Sequence, residues 1–117
     1  MRYLSSLFLL VTLLFAVPAF AQTQTLYSLT DCSISSLSGS SQSLVVSNPQ
    51  RKYLMIFNPA SHNEYVNLAG GTASTSGASS VTLGTGASIV LDGNTLSRSA
   101  ITVIGTASDK LTCYEGK

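Results

Sequence analysis

Lys52-Tyr53-Leu54-Met55-Ile56-Phe57 is the run that decides how this chain folds. After the lysine every position is aromatic or aliphatic, which suits a strand whose side chains alternate between two faces. Tyr53, Met55 and Phe57 fall on one face and Leu54 and Ile56 on the other, so both faces are expected to be covered. The run is bounded by Asn48-Pro49-Gln50, a turn in which Pro fixes φ and Asn tolerates turn geometry. Behind it, Asn58-Pro59-Ala60-Ser61-His62-Asn63 reads as a loop.

Working outward, Leu44-Val45-Val46 forms a short strand between serines. Glu64-Tyr65-Val66-Asn67-Leu68 alternates polar with apolar, as a half-buried strand does, and pairs with 52–57 as an expected antiparallel hairpin. Residues 69–80 consist of Ala, Gly, Ser and Thr. Such a stretch has little apolar bulk to bury and is expected to be a long loop or exposed flap. Ser80-Val81-Thr82-Leu83 and Ser88-Ile89-Val90-Leu91 flank the turn Gly84-Thr85-Gly86, and Asp92-Gly93-Asn94 is a tight turn. Ala100-Ile101-Thr102-Val103-Ile104 is expected to pair with Lys110-Leu111-Thr112-Cys113-Tyr114. Leu26-Tyr27-Ser28-Leu29 and Ser33-Ile34-Ser35 supply one or two edge strands. Seven or eight short strands, with no apolar helical spacing, predict an all-β fold: a single small β-sandwich of jelly-roll or Greek-key kind.

The first 21 of the 117 residues read as a cleavable signal peptide. Arg2 gives the positive start and residues 7–17 the apolar stretch; Pro18 and Ala19-Phe20-Ala21 form the cleavage region, leaving Gln22 first. The apolar stretch is shorter than the roughly 20 residues that cross a bilayer. The domains are therefore 1–21, leader, and 22–117, the β-sandwich. Export is expected, to the periplasm, the medium or the cell surface, with no membrane span in the mature chain.

In an oxidising compartment the two cysteines, Cys32 and Cys113, are expected to form a disulfide that ties the first strand to the last. A metal site is not expected, because beyond the cysteines only His62 remains as a favoured zinc donor. The mature chain carries five basic residues, Arg51, Lys52, Arg98, Lys110 and Lys117, against five acidic ones, Asp31, Glu64, Asp92, Asp109 and Glu115. So few balanced charges exclude an electrostatic nucleic-acid binder, which needs a basic face. Arg51, Lys52 and Arg98 read as solvated charges, Asp92 and Asp109 as turn residues, and Glu64 and Glu115 as solvent-facing groups at strand ends.

His62, the single histidine, has Ser61 beside it, but no G-x-S-x-G elbow accompanies them and it reads as an exposed loop residue. No catalytic residue and no cofactor is expected. Tyr27, Tyr53, Tyr65 and Tyr114 would form a sugar-stacking platform if two or more shared an exposed face. Tyr53, Tyr65, His62 and Asn63 are the candidate binding surface.

Four segments carry a family resemblance: Arg51-Lys52-Tyr53-Leu54-Met55-Ile56-Phe57-Asn58-Pro59, Tyr65-Val66-Asn67-Leu68, Ala87-Ser88-Ile89-Val90-Leu91, and Ala100-Ile101-Thr102-Val103-Ile104-Gly105-Thr106-Ala107. With Glu115-Gly116 behind them, their order resembles small β-rich modules of tailed-bacteriophage virion proteins, over about residues 43–116. The resemblance implies a non-enzymatic decoration or fibre module, often trimeric, that contacts other virion or cell-envelope components. The leader and the cysteine pair depart from that pattern. The expected function is thus an exported structural or interaction protein acting in assembly or surface attachment, as a homo-oligomer with a trimer favoured. The alternative is a secreted carbohydrate- or cell-envelope-binding module using the tyrosines and the loops at 58–63 and 69–80.

Overall fold

The computed structural model describes residues 27–117; the expected leader at 1–21 and residues 22–26 lie outside them. Eight strands follow in order: β1 (Leu29–Asp31), β2 (Gln42–Val45), β3 (Tyr53–Phe57), β4 (Glu64–Asn67), β5 (Val81–Leu83), β6 (Ser88–Asp92), β7 (Ile101–Ile104) and β8 (Thr112–Gly116). They form two antiparallel four-stranded sheets, ordered β1-β8-β3-β6 and β2-β7-β4-β5. β1 pairs with β8, β2 with β7, β3 with β6 and β4 with β5, the nesting of one long hairpin rolled into a sandwich. Of the two expected topologies this is the jelly roll.

Two expected pairings are corrected. β3 and β4 are not a hairpin but lie in opposite sheets, and so do β7 and β8. The reason is geometric. Packed sheets stand about 10 Å apart, a gap that a six-residue loop spans and a two-residue turn does not. Asn58 fixes the first crossing: its side-chain amide donates to the His62 and Leu83 carbonyls at 2.8 and 2.9 Å, and its Oδ1 accepts from Ala60 N–H.

Between the sheets, Leu54, Ile56, Leu91 and Cys113 face Val66, Leu83, Ile101 and Val103. The Cys32–Cys113 disulfide is formed and joins the chain just after β1 to β8, as expected. The outer faces differ. Residues 69–80 are a strandless flap, as expected, that lies against the second sheet. Asn67 is buried beneath it, donating to Thr72 O and accepting from Ala69 N–H, while the Thr102 hydroxyl donates to Gly71 O. The first sheet has no such cover among the described residues. Leu54 and Ile56 are fully buried, but Tyr53, Met55 and Phe57 are only half-buried, so β3 is covered on one face and not on both.

Candidate functional site

The four predicted binding residues separate into two places. His62, Asn63 and Tyr65 line a shallow concavity of about 320 Å³ with Thr75, Gly105 and Thr106, where the 58–63 loop and the flap meet the β7–β8 loop. Tyr53 stands apart, on the outer face of the first sheet. There it joins Tyr114 of β8 and Tyr27, which precedes β1.

That outer face mixes apolar and polar groups in three rows. Register places Leu29, Gly116, Tyr53 and Asp92 in one row, then Asp31, Tyr114, Met55 and Val90, then Thr112, Phe57 and Ser88. Leu29 is 57% exposed, Val90 49% and Tyr114 38%, positions where an antiparallel sheet facing water ordinarily carries polar groups. The Tyr27 ring stacks on Tyr53 with centroids 5.8 Å apart. Gly116 makes room for the pair, since a Cβ there would stand 2.9 and 3.0 Å from the Cβ atoms of Tyr53 and Tyr27. The chemistry on offer is flat apolar contact with phenol hydroxyls at its edge.

At the loop end, the His62 ring meets a carboxylate: Nδ1 lies 2.9 Å from Oδ2 of Asp109, a residue of the β7–β8 loop. This is the ring's side-chain partner among the described residues, and no serine hydroxyl joins it. His62 is exposed, as expected. Glu64, two residues on, is fully buried rather than solvent-facing, and neither of its carboxylate oxygens has a hydrogen-bond donor. Its carboxylate fills the space beside Gly105 that a side chain would need. Burial, then the hydrogen bond and negative charge of Asp109, push its pKa up to about 7, with His62 pulling the other way.

The opposite end holds the second correction. Arg51 is completely buried and not solvated. Its Nε donates to Glu115 Oε1 at 2.8 Å, one terminal nitrogen donates to Ser97 O and Ser99 O, and the other to Val46 O at 2.7 Å. Glu115 also accepts from Asn48 Nδ2 and is 14% exposed. Burial alone would raise its pKa; the bonds from Asn48 and Arg51 outweigh that and hold it below the ordinary carboxylate range. The charged residue that opens the resembling segment and the Asn58 that closes its strand are therefore framework groups, tying turns to strand ends.

Among the described residues no group of three or more His, Cys, Asp and Glu side chains is placed to hold a metal ion. No known family model, curated protein or solved structure matches this chain.

Proposed function

We propose that this is an exported, non-enzymatic structural or interaction module of the phage-virion type, acting in assembly or surface attachment through the bare outer face of its first sheet. One observation carries this reading. Of the two outer sheet faces, one carries the chain's own flap, while the other exposes Leu29, Val90 and Tyr114 beside half-buried Tyr53 and Met55. A contiguous apolar patch on a small exported domain marks a contact surface, and balanced charge leaves little repulsion against a second copy. Closed homo-oligomers are the usual outcome, with a trimer favoured by the resemblance. A disulfide that closes the fold supports export.

Light-scattering mass after size-exclusion chromatography tests this, with Val90→Thr/Tyr114→Ser as the comparison. The expected result is a wild-type mass about three times that of one chain, falling toward one chain in the variant without loss of fold. A monomeric wild type at micromolar concentration rejects the assembly reading.

A second reading has its own observation. The loop-end concavity draws Asn63 and His62 from one loop, Thr75 from the flap and the Tyr65 ring from β4, which is the donor-and-ring mixture that sugars need. As a carbohydrate- or envelope-binding module, the protein is expected to show glycan binding that Tyr65→Ala removes and Tyr114→Ser leaves intact.

A further inference from the structure

We infer that β6 is a self-pairing edge: two copies of this chain join antiparallel along residues 88–90, on a two-fold axis through Ile89. Each sheet has two edge strands, and three of the four carry a device that discourages pairing. β1 is three residues long and includes Asp31. β2 has a register shift between Ser43 and Val45. β5 is three residues long, and its Leu83 carbonyl is already taken by the Asn58 amide. β6 has none of these. It runs for five residues, pairs with β3 in unbroken register, and holds its one charged residue, Asp92, at its end.

The free backbone groups of this edge fit a second copy of it. Asn58 N–H donates to Ala87 O, so Ala87 turns its carbonyl toward β3, and strand alternation turns Ile89 and Leu91 the same way. Ser88, Val90 and Asp92 therefore point their N–H and C=O groups off the sheet. Asp92 is closed by its own turn: its N–H donates to the Thr95 hydroxyl, which donates in turn to Asp92 O. On the other side, Gly86 N–H is spent on Asn58 O. Ser88 and Val90 remain, with two donors and two acceptors placed symmetrically about Ile89. No other group among the described residues is hydrogen-bonded to them. With the axis at Ile89, Ser88 of each copy faces Val90 of the other. Four N–H···O=C bonds form, and no free group is left over.

The side chains agree with this register. The two Ile89 residues stand opposite each other as a pair without mutual hydrogen bonds, with Cα atoms about 4.5 Å apart. Ile89 is half-buried against the core, so each copy covers the flank that the other leaves open. On the outer face, Val90, 49% exposed, gains the second copy's Ser88 as a neighbour. The flanking turns leave room. Antiparallel register brings Gly93 of one copy toward the Gly84-Thr85-Gly86 turn of the other, and a Cβ at Gly86 or Gly93 would meet nothing within 4 Å. The contact is made by backbone at the edge, so it is independent of assembly through the outer face. So short an edge buries far less than the roughly 1,200 Å² of a stable interface. Pairing therefore belongs to high local concentration and joins copies that a stronger contact or a surface has already gathered.

Amide hydrogen exchange of the wild-type protein, from micromolar to near-millimolar concentration, tests the pairing. Exchange at Ser88 and Val90 is expected to slow by about threefold for each tenfold rise in concentration once pairs predominate, as mass action for a dimer requires. Leu29 and Asp31, on the opposite edge of the same sheet, are expected to keep their rates. Ser88→Pro removes an outward N–H at the first strand position, where proline is tolerated, and is expected to abolish the slowing at Val90 with the unfolding midpoint unchanged. Val90→Thr/Tyr114→Ser keeps the backbone edge and is expected to retain the slowing, so the edge and the outer face fail separately. Fast exchange at Ser88 and Val90 at every concentration overturns the pairing. Protection that ignores concentration also overturns it, since the chain then covers its own edge, and equal slowing at Leu29 and Asp31 overturns the assignment to β6.

Discussion

Glu115 and Glu64 invite comparison because they look alike in sequence and are treated oppositely by the fold. Both stand at a strand end, both alternate with apolar neighbours, and both are largely or wholly buried. At one end of the sandwich, Glu115 meets Arg51 and Asn48, and the guanidinium spends its remaining donors on three backbone carbonyls. At the other end, Glu64 is buried with no donor to either oxygen. The difference lies in the supply of donors, not in depth. A buried charge with matching donors is a fixed staple; one without them must take up a proton. The same jelly roll thus closes one end with a permanent ion pair and the other with a titrating one.

The largest effect is expected from breaking the staple. Arg51→Met keeps the apolar stem but leaves Glu115 without its cation and the carbonyls of Val46, Ser97 and Ser99 without a donor. Removing one partner of a buried pair costs about 3–5 kcal/mol, a large share of a small domain's stability. Urea unfolding at pH 6 measures it. Adding Glu115→Gln should restore part of the loss, because the orphaned charge is then gone. A cost below about 1 kcal/mol, the level of exposed pairs, would mean that water serves this end and that the two ends are not different in kind.

Next comes the pH dependence of stability, where the two ends pull in opposite directions. Glu64 holds its proton in the folded state up to about pH 7 but releases it near 4.5 when unfolded. The folded state then binds more protons across that window, so stability falls as pH rises through it, by about 3 kcal/mol, and is level above it. Glu115 is shifted down, so its contribution is complete above its unfolded value and fades as pH falls below it. Maximum stability is therefore expected in mildly acid solution. Unfolding midpoints from pH 3 to 8.5 map both limbs. Glu64→Gln should flatten the alkaline limb alone, gaining up to about 3 kcal/mol at pH 8 and little at pH 4.5. An unchanged alkaline limb in that variant would place the responsible group elsewhere.

Why one sequence reading succeeded and the other failed follows from where the information sits. Most strand positions, the flap at 69–80 and the disulfide rest on local composition and on cysteine count and are present in the fold, but the first strand lies at Leu29–Asp31 and Ser33-Ile34-Ser35 makes only the single bridge Ile34–Leu111. Strand pairing depends on contacts far apart in the chain, so nearest neighbours at 52–57 and 64–68 looked like a hairpin when the chain crosses between sheets. Burial of Arg51 was invisible because three of its acceptors are backbone carbonyls, which have no residue signature. Of the proposed binding set, His62, Asn63 and Tyr65 are near in sequence and line one concavity, while Tyr53 is separated from them by the sandwich itself. Gly105 gave a local signal that was not used. A glycine directly after the β-branched run 101–104 marks a close approach, and the group that approaches is the Glu64 carboxylate.

Gly105→Ala turns that signal into the subtlest test. Gly105 does not have a left-handed backbone, so alanine's cost arises from what its methyl meets and not from φ. The methyl falls on the end of the Glu64 side chain, a flexible group that can swing out to water. Below the Glu64 midpoint the swing leaves a small void where a neutral carboxyl was packed, at a cost of about 1 kcal/mol. Above the midpoint it relieves a buried charge, so the same substitution should be neutral or stabilising at pH 8. The sign of the effect is expected to reverse between pH 5 and 8, with Glu64 returning to an ordinary carboxylate titration. A cost that is equal at both pH values would mean that Gly105 spares backbone packing and not the carboxylate, and the two ends of the sandwich would then differ only in how deeply their acids are covered.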